Sequence, residues 1–313
     1  MIVFGPVPSR RLGRSLGINN IPPKRCTYSC VYCQLGRTIT RQLDRTSFYP
    51  QQVLVEQVQG KVRQTELRGE RIDALTFVPD GEPTLDQNLE SEILQLRPLG
   101  YRVAVISNAS LIWREDVRSA LNKADWVSLK VDAVDERLWR QIDRPCASLK
   151  LASILDGMLT FASRFDGQLV TETMPVRDLN DQAPAVRSLA RFLQELRPAV
   201  AYLSVPTRPP AEPSVRLPEA DALTRAFHII SERVPRTEYL IGYEGDAFSA
   251  TGDLQEDLLS ITSVHPMRRE AVESLVRKAH GSWSDVESLI ERGQLVVTLH
   301  EGHTYYLRQF SKI

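Results

Sequence analysis

Short apolar runs alternate along the chain with longer segments in which apolar residues recur every three or four positions. Segments of the second kind, such as 51–62 and 186–198, have the spacing of amphipathic helices. Six apolar runs are typical of strands and cover residues 15–21, 72–79, 101–108, 126–133, 168–176 and 200–207. A proline-rich loop over 206–220 and a further strand over 237–246 are expected to follow. This alternation predicts an α/β fold in which a parallel sheet curls into an open, partial (β/α)6 barrel.

The pattern changes after about residue 250. Three short helical segments precede two strand-like segments, QLVVTLH and TYYLRQF, which a Glu-Gly-His sequence joins. Ser284 is expected to cap the third helix, and Gly293 is expected to end it. We therefore predict two domains, a barrel domain over residues 1–250 and a small winged-helix-like domain over residues 251–313.

Charge and hydropathy restrict where the protein works and what it binds. The sequence contains no run of about 18 apolar residues, and its N-terminus lacks the long apolar core of a secretory signal. We expect no membrane span and a cytoplasmic location. The chain has 39 basic and 39 acidic residues, but residues 1–72 contain 12 Lys or Arg and only four acids, a net charge of +8. This segment suits an anionic cluster or an anionic substrate, or it is a solvated basic face.

Three of the four cysteines fall within eight residues, in the run Cys26-Thr-Tyr-Ser-Cys30-Val-Tyr-Cys33 that follows the first predicted strand. Three thiolates on one short loop can hold three corners of a cubane cluster, which leaves the fourth iron for a substrate or cofactor. A structural zinc site needs four protein ligands, so distant Cys146 or one of the five histidines would have to complete it. Otherwise Cys146 is a small buried residue or an incidental thiol.

The CxxxCxxC spacing, with Tyr32 directly before the third cysteine, resembles the hallmark of the radical S-adenosylmethionine (radical SAM) superfamily. The resemblance covers roughly residues 1–250. It implies a [4Fe–4S] cluster on Cys26, Cys30 and Cys33, with the methionine moiety of S-adenosylmethionine bound to the open iron. It also implies reductive cleavage to a 5′-deoxyadenosyl radical that abstracts hydrogen from a substrate. The electron would come from a flavodoxin- or ferredoxin-like reductant protein.

Several strand ends agree with this resemblance. The sequence Asp80-Gly-Glu-Pro-Thr84 is similar to the family's GGEP-type motif, which receives the methionine amino group, although Asp80 replaces the usual first glycine. Read alone, it would be an ordinary turn before a helix. Ser107 and Asn108 resemble the position that contacts the ribose and the methionine carboxylate. The cofactor-binding residues that the resemblance implies are Tyr32, Gly81, Glu82, Pro83, Ser107, Asn108, Lys130 and Asp132.

Lys130 and Asp132 share one face of the strand 126–133 because side chains alternate along a strand. They are expected to contact a carboxylate and ribose hydroxyls, respectively, or to form a buried salt bridge with each other. Residues on the strand 168–176 occupy the family's adenine-contacting position, and an N-terminal basic group offers substrate or cofactor contacts. These further candidates are Thr173, Met174, Val176, Arg10, Arg11 and Arg14.

The segments GPVPSRRLGRSLGIN, VPDGEPTL, SLKVDA and TMPVRDLND look like the branch related to wyosine-type tRNA synthases. The imidazoline-forming members of that branch carry a second cluster on three further cysteines. Only Cys146 remains here, so this chain is not expected to perform that reaction by that mechanism.

Two substrate classes stay open. The branch resemblance and the basic segment favour an RNA base, whereas the C-terminal module, with nine acids and seven bases after residue 250, favours a peptide or protein. A non-enzymatic adaptor, stabilised by a metal and binding through its winged helix, is the alternative to an enzyme.

Overall fold

The structure is a computed structural model that describes residues 2–240, 248, 250, 252–263 and 265–309. The part of the predicted strand 237–246 that follows residue 240 lies outside the described residues. The strands are β1 (Val3–Ser9), β2 (Gly13–Ile18), β3 (Arg25–Cys26), β4 (Thr40–Arg41), β5 (Ala74–Phe77), β6 (Arg102–Ser107), β7 (Trp126–Lys130), β8 (Gln168–Thr173), β9 (Val200–Ser204), β10 (Thr237–Leu240), β11 (Met267–Arg268), β12 (Leu295–His300) and β13 (His303–Arg308). The helices are α1 (Gln51–Leu67), α2 (Leu89–Leu96), α3 (Glu115–Leu121), α4 (Glu136–Ile142), α5 (Leu151–Ala162), α6 (Ala183–Leu196), α7 (Ala220–Ser231), α8 (Leu254–Thr262), α9 (Arg269–Lys278) and α10 (Trp283–Glu291).

The main sheet has eight strands in the order β1-β2-β5-β6-β7-β8-β9-β10. All neighbours from β2 to β10 are parallel, and β1 pairs with β2 antiparallel. The predicted α/β partial barrel is confirmed, with one strand that the sequence pattern did not indicate. Strand β1 was missed because its sequence, VFGPVPS, contains a glycine and two prolines, which normally interrupt a strand. The sheet tolerates them because β1 is an edge strand.

The two faces of this sheet have different environments. One face packs against the helices and contributes Leu16, Phe77 and Leu129 to the large core. The other face forms a separate apolar cluster of strand residues and Leu12, without any helix residue, which places it on the concave inside of the barrel. Trp126 is the largest side chain of this cluster. Further along β7, β8 and β9 the same face carries polar side chains, so the barrel interior has an apolar floor below a polar layer.

The C-terminal module has the three helices and the hairpin that the sequence predicted, with a three-stranded sheet in the order β11-β13-β12. Phe4 and Val7 of β1 belong to its hydrophobic core, so the first strand of the chain joins the module to the barrel. Ser282, and not Ser284, caps α10, because Ser282 and Asp285 form the reciprocal capping box. Gly293 ends the helix as predicted, at a φ of +63°. In the part of the chain that the structure describes, no helix is long and apolar enough to span a bilayer.

Candidate active site

The loop with the three cysteines is fixed through its backbone to the last residue of α4 and to the segment that follows it. The Ser29 N–H donates to the Asp143 carbonyl at 3.0 Å, and the Val31 N–H donates to the Ile142 carbonyl at 2.8 Å. The Cys146 N–H in turn donates to the Thr27 carbonyl at 2.9 Å. These bonds hold a loop of almost no regular structure in one conformation, as a site for a rigid cofactor requires.

The three thiols lie close enough to influence one another electrostatically. Burial is the largest cause of a raised pKa at each thiol. A nearby carboxylate is the second cause and raises the pKa further. This carboxylate is Glu82 at Cys26, Asp143 at Cys30 and Asp80 at Cys33. Mutual repulsion among the thiolates raises the pKa of Cys26 and Cys30 further. A buried group of three thiols ionises readily only beside a cation, so the donor set fits an iron–sulfur cluster.

The alternative of a single metal ion has less support from the geometry. Among the described residues, no three His, Cys, Asp or Glu side chains converge as the ligands of one ion do. Cys146 is only partly buried, and burial and Arg41 are the influences on the pKa of its thiol, without a contribution from the other cysteines. A cubane takes its thiolates at three separate irons, so its three ligands need not converge on one point.

The turn that begins at Asp80 docks on the cysteine loop backbone to backbone. The Lys24 N–H donates to the Asp80 carbonyl at 2.8 Å, and the Glu82 N–H donates to the Arg25 carbonyl at 3.2 Å. Gly81 lies between these bonds at a φ of +155°, and a Cβ added there would stand 1.9 Å from the Arg25 carbonyl oxygen. Glycine is therefore required by the close approach of two chain segments.

Glu82 is 1% exposed and links the turn to the end of β6. Its carboxylate accepts hydrogen bonds from the Ser107 hydroxyl at 2.8 Å and from the Asn108 N–H at 2.7 Å, and Thr84 donates two more. Burial raises the pKa of Glu82 although these bonds oppose the shift. The resemblance implied a contact with the methionine amino group, but in this structure the carboxylate is engaged within the protein.

Asn108 connects this end of β6 to the first cysteine. Its side-chain amide donates to the Thr27 hydroxyl at 2.9 Å and to the Cys26 sulfur at 3.4 Å. Asp80, the departure from the family motif, pairs with Lys24 at 2.9 Å. Burial raises the pKa of Asp80 to about 6, against the lowering effect of Lys24. The structure thus brings the cysteine loop, the glycine turn and the end of β6 into one site.

Lys130 and Asp132 share a face, as predicted, but their direct partners are different groups. Lys130 donates to Glu172 at 3.0 Å and lies 4.9 Å from the centroid of the Tyr32 ring. Asp132 accepts hydrogen bonds from the Tyr32 hydroxyl and from the Met174 N–H. The salt bridge that was expected as the alternative is therefore replaced by a network that reaches β8 and the cysteine loop.

Sequence reasoning missed two acidic residues in this network. Glu172 accepts from Lys130 and Arg11 and also from the Ser204 hydroxyl at 2.9 Å. Burial opposes ionisation of Glu172, but the two cations hold its pKa well below the usual range. Asp143 accepts from the Cys30 thiol at 3.2 Å, and burial, followed by Asp132, raises its pKa. Glu172 could have been found because it is a charged residue inside the apolar run of β8. No sequence pattern indicated Asp143.

The remaining candidates divide between the site and the rest of the molecule. Met174 and Val176 pack with Val31 and Tyr32 under the cysteine loop, and Thr173 donates to a backbone carbonyl. The N-terminal arginines do not act as a group. Arg11 joins the network in the barrel, and Arg14 pairs with Glu70. Arg10 faces His265 of the C-terminal module, whose pKa is lowered by burial, then by Arg208 and by Arg10.

Comparison with known proteins gives consistent results. The profile of the radical SAM superfamily matches residues 20–189. A UPF0026 protein of Methanocaldococcus jannaschii is 43% identical over 309 residues, which cover 98% of this chain and 96% of that protein. A UPF0026 protein of Helicobacter pylori is 30% identical over 300 residues, or 95% of this chain and 94% of its own. The solved structure of TYW1 with a lysine-pyruvate adduct bound is similar in fold, with a TM-score of 0.55 and 16% identity over 71% of this chain and 74% of its own.

Proposed function

Because the chain belongs to the radical SAM superfamily and, within it, to the UPF0026 family, we propose that Cys26, Cys30 and Cys33 hold its [4Fe–4S] cluster and leave the fourth iron to S-adenosylmethionine. The superfamily implies both cofactors. The observation that carries the assignment is the group of three mutually influencing thiols on one fixed loop. Cys146, whose thiol stands outside this group, is not a ligand in the proposal.

When bound, the cluster supplies the electron that cleaves S-adenosylmethionine to a 5′-deoxyadenosyl radical, which takes hydrogen from the substrate. The protein's own part is to position the cluster ligands and to exclude water from the site. Asn108 fixes Cys26 through its amide, and Glu82 fixes Asn108 through its backbone N–H. Met174 and Val176 keep the space under the loop apolar. Lys130, which Glu172 holds, and Asp132, which Tyr32 and the Met174 N–H hold, are the charged groups proposed to face the polar groups of the cofactor.

The assignment is tested by anaerobic reconstitution with iron and sulfide, followed by dithionite and S-adenosylmethionine. The wild-type protein is expected to bind iron and to release 5′-deoxyadenosine, measured by liquid chromatography with mass spectrometry. Cys30→Ala is expected to release none, whereas Cys146→Ala retains the activity. A non-enzymatic adaptor would release no 5′-deoxyadenosine in any of these variants.

For the substrate, the proposal is a base in RNA. The basic N-terminal segment and the resemblance to wyosine-type synthases support it, although part of that charge is already neutralised, since Arg37 pairs with Glu212 and Arg45 with Asp116. A cavity of about 360 Å3 adds support, because Trp113, which is 45% exposed, lines it together with two bases, Arg114 and Lys150, and one acid, Asp44. An exposed aromatic ring beside cations suits the stacking of a base.

Binding of unfractionated tRNA tests this substrate class. The expected affinity falls steeply as salt rises, and Trp113→Ala weakens it severalfold, whereas Leu67→Ala, an exposed residue of α1, does not. Affinity that is absent or independent of salt would contradict the RNA proposal. It would favour the second candidate, a peptide or protein substrate, which the exposed apolar strand β12 of the acidic C-terminal module supports.

A further inference from the structure

The strand β12 exposes an unusual amount of apolar surface. In the part of the chain that the structure describes, eight large hydrophobic side chains are exposed, and three of them are Val296, Val297 and Leu299 of this strand. Leu299 is 74% exposed. Among the described strands, β12 lies at the edge of its sheet, and its sequence, LVVTLH, contains neither a formal charge nor a proline. Natural edge strands are normally protected by such residues, so this edge is built to be covered.

The backbone of β12 offers a regular set of hydrogen-bonding groups. Glu301 and Gly302 form the two-residue turn to β13 with φ values of +48° and +74°, the type I′ arrangement. His300 and His303 therefore close the hairpin as a hydrogen-bonded pair. At the other end of the hairpin the Gln309 N–H donates to the Gln294 carbonyl, so these two residues also form a hydrogen-bonded pair of the same alternating series. The N–H and C=O groups of the alternate residues 295, 297 and 299 consequently point away from β13.

The side chains on the same positions continue the core of the module. Leu295 is buried in that core, and Val297 lies opposite buried Tyr306 on β13. Val297 and Leu299, which follow Leu295 on the same face of the strand, are exposed. A chain that paired with the outward groups of β12 would place its alternate side chains against these two residues.

We propose that β12 docks an extended peptide segment of a protein partner, which adds a strand to the sheet β11-β13-β12. The available edge fits such a segment in length, because six residues span roughly 20 Å. A second copy of the chain is a poorer fit, since pairing of two such strands buries far less than the ~1,200 Å2 of a stable interface. The excess of acids in the module favours a segment with basic flanks. The proposal concerns docking, and it depends neither on the cluster nor on the substrate of the barrel.

The probe is a synthetic peptide of alternating Val and Thr with a lysine at each end, added to the full-length chain. We expect saturable binding by fluorescence anisotropy, whereas the same peptide with proline at alternate positions does not bind. Leu299→Lys is expected to weaken binding at least tenfold. Leu67→Lys, a matched change at a residue that is 89% exposed on α1, leaves binding unchanged. Equal melting temperatures of the two variants show that Leu299→Lys has folded.

Hydrogen exchange of single amides gives the sharper result. Bound peptide is expected to slow exchange at Val297 and Leu299 and to leave Val296 and Thr298 unchanged, because only the first pair faces the open edge. Uniform protection, or no binding of the alternating peptide, would overturn the proposal. Self-association that Leu299→Lys abolishes would also overturn it, in favour of a second copy. Protection of β12 by tRNA instead of peptide would overturn it in favour of a nucleic-acid surface.

Discussion

The substitution Gly81→Ala tests whether the glycine turn and the cysteine loop form one unit. The added Cβ would stand 1.9 Å from the Arg25 carbonyl oxygen and 2.8 Å from the Ile21 Cδ1 atom. An unstrained carbon–oxygen contact is about 3.3 Å or longer, so the two segments must separate by more than ~1 Å. The closest neighbour is backbone, and no rotamer change can relieve the overlap.

Separation would weaken the two backbone hydrogen bonds that flank Gly81, at about 1 kcal/mol each. Overpacking adds about 1–3 kcal/mol. We therefore expect Gly81→Ala to lower the free energy of unfolding of the metal-free protein by about 3–5 kcal/mol, measured by urea denaturation. Because Glu82 aligns Asn108 with Cys26, iron content after anaerobic reconstitution is expected to fall as well.

Gly60→Ala is the matched control. Gly60 lies in α1, and a Cβ there meets nothing within 4 Å. Alanine is expected to raise the free energy of unfolding by about 0.5–1 kcal/mol through helix propensity, with normal iron content. If Gly81→Ala proved as stable as the wild type and bound as much iron, the docking of turn on loop would have no role in the site.

Three further predictions concern stability. Glu172→Gln leaves two partly buried cations, Arg11 and Lys130, without their carboxylate and is expected to cost about 3 kcal/mol at neutral pH, the lower end for a broken buried pair. Because the folded pKa of Glu172 is depressed, its contribution is present above the unfolded value of about 4.3 and is lost in acid, so the difference between wild type and variant in urea denaturation should shrink below about pH 4. A difference that persisted at low pH would contradict this. Burial, with a smaller effect of Asp86, raises the pKa of Glu92 to about 9. The folded state therefore keeps a proton that the unfolded chain loses, and the free energy of unfolding of the wild type should fall as pH rises from about 4.3 toward 9. The free energy of unfolding of Glu92→Gln is expected to depend less on pH. The same pH dependence in both proteins would refute the raised pKa of Glu92. Phe4→Ala should destabilise the protein by about 3–5 kcal/mol and speed hydrogen exchange in α8 and α9, since Phe4 lies in the module core; unchanged exchange there would mean that β1 does not support the module.

The periodic elements were predictable because they depend on local patterns. The alternation of strands and helices gave the α/β barrel, and the resemblance to the radical SAM superfamily pointed to the Asp80 turn and to Ser107 and Asn108. The hairpin β12–β13 followed from two strand-like segments and the Glu-Gly-His sequence that joins them. Strand β1 did not follow, since its prolines are acceptable only at a sheet edge, and the position of a strand in a sheet is a property of the whole fold.

The partners within the site were beyond sequence reasoning for a related reason. Arg11 and Glu172 meet across 161 residues, and neither position carries a periodic signal of the contact. Glu82 belongs to a motif that indicated a contact with the cofactor, yet its carboxylate is occupied by Ser107 and Asn108. A motif identifies which strand end belongs to the site. Which of its side chains bond within the protein and which remain accessible to a cofactor depends on how the fold buries them.

The open iron is tested most directly by electron paramagnetic resonance of the reconstituted, dithionite-reduced protein with and without S-adenosylmethionine. The signal of the reduced cluster is expected to change when S-adenosylmethionine is added, in the wild type and in Cys146→Ala alike, because three cysteines leave one iron for the cofactor. A signal that ignores S-adenosylmethionine, or a Cys146→Ala protein that no longer binds iron, would mean that the polypeptide supplies all four ligands.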